Sequence, residues 1–508
     1  MNTKIAICLA LWLSTHITYA QQSPNIIVFI VDDMGWQDTA VPFWNQSTSW
    51  NTRYHTPAME RLAKEGMKFT NAYAAPVCTP SRVSLLTGMN AAHHRVTNWT
   101  LRKNQSVDEV DSLLQSPNWN VNGLSPLPGI EHSVYATPLP QLLQQQGYYT
   151  IHCGKAHFGA METPGADPLQ LGFIKNIAGH AAGGLGSYLG EKNYGNQKGM
   201  HTLPWGVPGL EAYHGSDIFL TEALTREALQ ALDSPVKKKQ PFFLYMAHYA
   251  VHIPYAADKR FINRYISMGL PPKEAEYAAL VEGMDKSLGD LLNYLDEKGI
   301  SNNTVIFFVS DNGGFTLQPR AGAPFTQNTP LRSGKGSVYE GGIRVPMLVK
   351  YPGITAPGSI CNQPVIIEDF FPTLLSIAGN EHPKMVQSPD GKNLLPLLHN
   401  SQTTVHATRK LIWHFPNKWI PDNTAPGINY HSAIREGKWK LVYNMRNGEH
   451  ELYDIDSDIE ELHNLAKENP TITNRLSRYM SEQLRKWNAD MPIVKASGKR
   501  SKMADGKE

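Results

Sequence analysis

Cysteine is scarce, with four residues in 508, and one of them, Cys8, falls within the first twenty. The other three, Cys78, Cys153 and Cys361, are too few for a disulfide framework, which excludes a small stapled scaffold. No apolar run reaches the roughly 20 residues that a membrane-spanning helix needs, so a membrane span is not expected. An excess of one charge is also missing: 47 Lys+Arg against 45 Asp+Glu leave a formal charge of +2. That balance gives no electrostatic reason for nucleic acid as a partner, so any anion recognition must be local. No internal repeat or low-complexity linker interrupts the chain, and 41% hydrophobic with 18% charged residues excludes a disordered chain or a collagen-like fibre. This length calls for one large α/β domain, or a large domain with a smaller appendage.

The N-terminus has a leader grammar. Lys4 precedes the apolar stretch Ile5 to Leu13, and Thr18-Tyr19-Ala20 stand before Gln21-Gln22. This pattern predicts a signal peptide over residues 1–20, cleaved after Ala20, and an exported product, periplasmic or secreted. A membrane anchor is the alternative reading, and the apolar core is too short for it. Cys8 leaves with the leader, so an odd number of thiols remains in a chain bound for an oxidising compartment.

Cys78 is singled out by its neighbours, Cys78-Thr79-Pro80-Ser81-Arg82-Val83-Ser84-Leu85-Leu86-Thr87-Gly88. Pro80 suits a first helical turn, no breaker follows, and Gly88 is placed to end the helix. Cys78 therefore sits at the positive end of a helix dipole, where anions are welcome.

Two buried-strand patterns end in acids. Asn25-Ile26-Ile27-Val28-Phe29-Ile30-Val31 runs into Asp32-Asp33-Met34-Gly35, and Thr304 to Val309 runs into Ser310-Asp311-Asn312-Gly313-Gly314. Ligands in open α/β sheets collect at the carboxyl ends of strands, so Asp32, Asp33, Asp311 and Asn312 form a candidate cluster of hard oxygen donors. Such donors favour calcium or magnesium. An isolated Asp-Gly or Asn-Gly more often starts a turn, but two matching strand ends favour the cluster.

Basic motifs follow. Gly154-Lys155-Ala156-His157-Phe158-Gly159 comes after the strand-like Tyr148 to His152. Phe242 to Ala247 is another buried strand, leading to His248-Tyr249-Ala250-Val251-His252-Ile253-Pro254. Pro330-Leu331-Arg332-Ser333-Gly334-Lys335-Gly336 opens a long run that ends in Gly341-Gly342-Ile343-Arg344-Val345-Pro346.

The Cys-x-Pro-x-Arg run with its Ser-Leu-Leu-Thr-Gly continuation resembles the signature of the type I, formylglycine-dependent sulfatases of the alkaline phosphatase superfamily, bacterial polysaccharide sulfatases among them. The resemblance spans Pro24 to about Leu465. It implies that Cys78 is oxidised to 3-oxoalanine (formylglycine) by a formylglycine-generating or sulfatase-maturating enzyme and serves as nucleophile. It implies one Ca2+ held by Asp32, Asp33, Cys78, Asp311 and Asn312. Arg82, Lys155, His157 and His252 match catalytic positions, and Lys155, His252 and Lys335 match substrate-binding ones; His248 competes with His252. In this reading the cations neutralise the sulfuryl oxygens, His252 protonates the leaving oxygen, and His157 assists the proton loss that expels sulfate.

The implied fold is α/β: a large mixed β-sheet sandwiched by helices, with a smaller C-terminal antiparallel sheet plus helix. The boundaries expected are 21–400 for the catalytic domain, 401–494 for the C-terminal subdomain and 495–508 for a flexible tail. Helix periodicity over Glu276 to Lys298 reads as core packing, and a closing helix is expected from about Pro470 to Trp487. His414 is weighed as a cleft residue, with packing the commoner fate. The stretches Asn98 to Ser133 and Gly179 to Gly186 read as loops that set substrate choice.

The expected substrate is a sulfated carbohydrate, a polysaccharide such as those of marine algae or its oligosaccharides. The glycosylation-type triplets at Asn45, Asn98, Asn104 and Asn302 keep a eukaryotic lysosomal or secreted origin open. The rival functions are a phosphate or phosphonate ester hydrolase on the same scaffold and a non-catalytic sulfated-glycan-binding protein.

Overall fold

A computed structural model describes residues 23–196 and 204–507, so the expected signal peptide lies outside the described residues. Eight strands form the main sheet: β1 (Asn25–Val31), β2 (Met67–Phe69), β3 (Tyr149–Gly154), β4 (Lys175–Ile177), β5 (Phe242–Ala247), β6 (Thr304–Ser310), β7 (Met347–Lys350) and β8 (Ser359–Cys361). Their spatial order is β8-β2-β7-β6-β1-β5-β3-β4. Only β7 runs against its neighbours β6 and β2, so the sheet is mixed.

All seven residues of β1 are buried, as an unbroken apolar run predicts for a central strand covered on both faces. Ile27, Phe29 and Val31 pack with the helices α1 (Pro57–Glu65), α4 (Leu220–Lys237) and α5 (Pro272–Glu297). Ile26, Val28 and Ile30 face the other way, onto α2 (Cys78–Thr87), α3 (Leu139–Gln145) and α6 (Phe370–Ile377). Each such side chain contributes about 1.5–3 kcal/mol on burial, so a polar group on either face of β1 would disrupt a core.

A second, antiparallel sheet follows in sequential order: β9 (Lys410–Phe415), β10 (His431–Glu436), β11 (Trp439–Asn444) and β12 (His450–Asp454), with α7 (Pro470–Lys486) packed on it. Buried charge joins the second sheet to the segment that leads into β7. Lys440 Nζ of β11 lies between Glu340 Oε1 at 2.9 Å and Glu461 Oε1 at 2.8 Å, and Arg344 reaches Glu340 at 3.1 Å. This bridge anchors the segment that follows Lys335.

The expectation of a flexible tail over 495–508 is corrected over its described part. Lys499–Arg500 pairs with Ile493–Val494, which in turn pairs with Leu114–Gln115. Met503 and Ala504 are buried in the core beneath β11 and α7, and Arg485 grips Asp505 with two hydrogen bonds of 2.8 and 2.9 Å. The polar composition of the tail hides these few apolar anchors.

Candidate active site

Strand register assembles the site. Val31 of β1 lies beside Ser310 of β6, Ile30 beside Ala247 of β5, and Ala247 beside Gly154 of β3. Four adjacent strands therefore end at one level, and the residues after each meet there: Asp32 and Asp33, Asp311 and Asn312, Lys155, and the segment leading to His252. The helix α2 begins at Cys78 and is capped by Gly88, whose φ of 71° lies in the left-handed region and whose N–H donates to the Ser84 carbonyl. Its first residue faces the same level.

One atom each from Asp32, Asp33, Cys78 and Asp311 lies within 4.8 Å of all the others, and the four residues are buried. Cys78 Sγ is 3.7 Å from Asp32 Oδ1. Asn312 donates from Nδ2 to Asp33 Oδ1 at 2.7 Å, while its buried Oδ1 has no partner among the described residues. An orphaned buried acceptor beside three carboxylates is the donor set that a hard cation takes, so these residues fit a divalent ion.

Each carboxylate is also paired with a buried cation. Lys155 Nζ is 2.6 Å from Asp32 Oδ2, Lys335 Nζ is 2.8 and 3.0 Å from the two oxygens of Asp33, and Arg82 contacts Asp311 Oδ2 through Nε at 2.9 Å and Nη2 at 2.8 Å. Arg82 further donates to the Lys155 carbonyl at 2.8 Å.

The two neighbouring aspartates titrate differently. Burial pushes Asp32 up to about 7, and the repulsion of Asp311 and Asp33 adds to it, so Lys155 does not restore an ordinary carboxylate. Burial also acts on Asp33, but Lys335, with His252 and Lys155, outweighs it and holds the group at about 2. Burial pushes the Cys78 thiol up to about 12 despite Lys155 and Lys335. An unmodified thiol here is a poor nucleophile.

His252 donates from Nδ1 to the Ile253 carbonyl at 2.6 Å, and its Nε2 stands 3.8 Å from Asp33 Oδ2. Desolvation and Lys335 lower its affinity for a proton to about 3, against the pull of Asp33. His157 donates from Nε2 to the Thr100 carbonyl at 3.0 Å, and its Nδ1 has no partner among the described residues. Burial, followed by Lys155 and Arg82, keeps this ring neutral. Gly183 lies against it so closely that a Cβ there would come within 2.0 Å of the ring.

His157, His252, Cys78 and Lys335 line one cavity of about 180 Å3. The competing His248 is elsewhere: its Nε2 pairs with Ser287 Oγ at 2.9 Å and its ring packs on Phe29. His414 is held by Ser432 Oγ at 2.7 Å and the Asp490 carbonyl at 2.6 Å, buried and packed, so it does not line the cleft. Cys153 and Cys361 are buried and free.

Sequence reasoning missed the apolar walls of this cavity, Trp99, Trp205, Phe315 and Trp419. No periodicity marks them, because each comes from a separate irregular segment and Trp419 belongs to the C-terminal region.

The sulfatase family model matches residues 24–380, and a model described as N-sulphoglucosamine sulphohydrolase, C-terminal, matches residues 334–490. A sulfatase of Formosa agariphila is 32% identical over 92% of this chain and 89% of its own length. The N-acetylgalactosamine-6-sulfatase of Mus musculus is 30% identical over 84% of this chain and 81% of its own. The crystal structure of Ps i-CgsB in complex with k-i-k-neocarrahexaose superposes with a TM-score of 0.70 at 28% identity, covering 91% of this chain and 93% of that one.

Proposed function

This chain belongs to the sulfatase family, and from that premise we propose that the pocket over Cys78 hydrolyses sulfate esters of a carbohydrate with Cys78 in its formylglycine form and one Ca2+ beside it. The protein is a sulfuric ester hydrolase acting on sulfated carbohydrates. The observation that carries the residue-level reading is the meeting of Asp32, Asp33, Cys78 and Asp311 within 4.8 Å, with a buried cation on each carboxylate.

A sulfate ester presents a poor electrophile, a charge that repels nucleophiles, and an alkoxide leaving group that needs a proton. Asp32, Asp33, Cys78, Asp311 and Asn312 would hold the divalent ion, which would supply positive charge to the sulfuryl oxygens, and the hydrate of the aldehyde at residue 78 would supply one hydroxyl as nucleophile and a second whose deprotonation releases sulfate and restores the aldehyde. Lys155 and Lys335 stabilise the negative charge that develops on the sulfuryl group, fixed in place by Asp32 and Asp33 before substrate arrives. Arg82 orients Asp311 and the Lys155 main chain, so it holds the nucleophile helix against the ion site. His252 presents Nε2 to the leaving oxygen, because Nδ1 is committed to Ile253; desolvation and Lys335 keep the free ring neutral despite Asp33, so the negative charge of the bound sulfate ester is what must draw the proton onto Nε2 for donation there. His157 presents Nδ1 as the base that takes up a proton beside residue 78.

Residues 21–400 make the catalytic unit and 401–494 the subdomain that closes it, behind an exported leader over 1–20. The destination is the periplasm or the medium, the maturation partner is a formylglycine-generating enzyme, and a marine algal polysaccharide is the substrate source. The rival chemistry is phosphate or phosphonate ester hydrolysis on the same scaffold. Paired assays with aryl sulfate and aryl phosphate separate the two: the proposal requires the higher kcat/KM on the sulfate ester, and preference for phosphate overturns it.

A further inference from the structure

The cavity over Cys78 has two unlike halves. Its polar functions, on Cys78, His157, His252 and Lys335, suit the sulfuryl group, whereas the remaining large side chains are Trp99, Trp205, Phe315 and Trp419. These aromatics do not close into a sealed core, since Trp205 is 36% exposed and Trp99 and Trp419 are partly so. Indole faces at an open mouth are surfaces on which the C–H faces of a pyranose ring pack. His252 and Trp205 also line a second cavity of about 540 Å3, whose polar groups include Lys273, Glu276 and Gln318.

The walls are fixed in place. Trp99 lies between two anchored residues: Asn98 Nδ2 donates to Asp108 Oδ1 at 2.8 Å, and the Thr100 backbone N–H donates to Thr79 Oγ1 at 3.2 Å while the Thr100 carbonyl accepts from His157. Trp419 rests on Gly336, next to Lys335, where a Cβ would come within 2.1 Å of the indole. The Trp419 backbone N–H donates to Asn429 Oδ1 at 2.7 Å. The same Asp108 accepts at Oδ2 from Asn417 at 3.2 Å and from Trp119 Nε1 at 2.8 Å, and the Glu109 N–H donates to the Lys418 carbonyl at 2.8 Å. One half-buried carboxylate thus ties the segment that carries Trp99 to the segment that carries Trp419.

We propose that Trp99, Trp205 and Trp419 form the sugar-binding walls that determine specificity for a sulfated pyranoside, and that Asp108 is a positioning residue that holds two of them in register. This inference rests on the sulfatase reading and adds which part of the substrate is recognised, and by which residues. The C-terminal region is then part of the binding site through Trp419.

The test uses the full-length enzyme with 6-sulfated galactose, N-acetylgalactosamine and glucosamine and a sulfated carrageenan hexasaccharide as probes. Loss of a contact equally strong in ground and transition states raises KM and leaves kcat. Trp99→Ala and Trp419→Ala are therefore expected to raise KM for the sugar that is turned over by about tenfold, the cost typical of a lost aromatic anchor, and Trp419→Phe to recover part of it. Asp108→Ala is expected to raise KM in the same direction while kcat is kept, whereas mere destabilisation would lower the active fraction and leave KM alone.

Saturable quenching of tryptophan fluorescence in Cys78→Ala by the same sugars gives a second readout that needs no turnover. Unchanged KM in both tryptophan variants, or no saturable quenching by any probe, overturns the wall assignment. A wild-type enzyme that desulfates none of the probes and no aryl sulfate overturns the sulfatase reading instead, and the fluorescence titration then decides the walls independently.

Discussion

Lys335→Ala tests the charge balance of the site. Lys335 is 6% exposed and pairs with both oxygens of Asp33, itself 1% exposed, so truncation leaves a buried carboxylate without its main cation. Breaking such a pair from one side costs about 3–5 kcal/mol. For a chain of this size that is roughly 3–5 °C in melting temperature, from the usual entropy of unfolding per residue. The cost applies to metal-free protein, because a divalent ion beside Asp33 replaces the lost charge. Thermal melts of wild type and variant, each in chelator and in calcium, form the assay. The variant is expected to melt lower in chelator and to gain more from calcium than the wild type, whose own gain is about 2.7 kcal/mol at one hundred times Kd. Turnover in calcium is expected to fall by about 100- to 1,000-fold, the cost of removing one preorganised charge donor. Coincident melts in chelator with equal calcium increments would refute the reasoning, since Lys335 would then not be what neutralises Asp33.

Cys78→Ser and Cys78→Ala should lose turnover of an aryl sulfate while keeping the wild-type far-UV spectrum, and activity in the alanine variant would remove the nucleophile assignment. Gly183→Ala should lower kcat by about tenfold or more, because its methyl would come within 2.0 Å of the His157 ring, and a displaced base costs that much; an unchanged kcat would show that the ring has room to move. Arg82→Lys should lower both stability and kcat/KM, since an ammonium cannot span Asp311 and the Lys155 carbonyl together, and melting with full activity would contradict that. Exhaustive chelation should abolish hydrolysis and calcium should restore it; a chelated enzyme at full rate would discredit the ion site.

Much of this arrangement was legible because the chemistry sits at the ends of strands with unmistakable patterns. Asn25–Val31, Phe242–Ala247 and Lys410–Phe415 form over the residues that their apolar runs define. Parallel neighbours that start together end together, so Asp32 and Asp311 had to meet. The helix from Cys78 was legible from Pro80 and Gly88. The aromatic walls were not, because Trp99, Trp205 and Trp419 lie in irregular segments whose paths depend on long-range contacts such as those of Asp108. Lys440 was equally hidden: an alternating strand residue reads as solvent-facing until Glu340 and Glu461 arrive from distant segments to enclose it. The packed tail failed for a related reason, since Met503 and Ala504 are two small anchors in a polar sequence.

Mass spectrometry of the peptide containing Cys78, taken on enzyme produced with and without a maturating partner and matched to turnover of an aryl sulfate, addresses the central claim most directly. The account predicts that hydrolysis rises in proportion to the fraction of residue 78 present as the aldehyde and is absent from protein that carries only the thiol. Full-rate hydrolysis by a preparation whose residue 78 is entirely unmodified cysteine would contradict it.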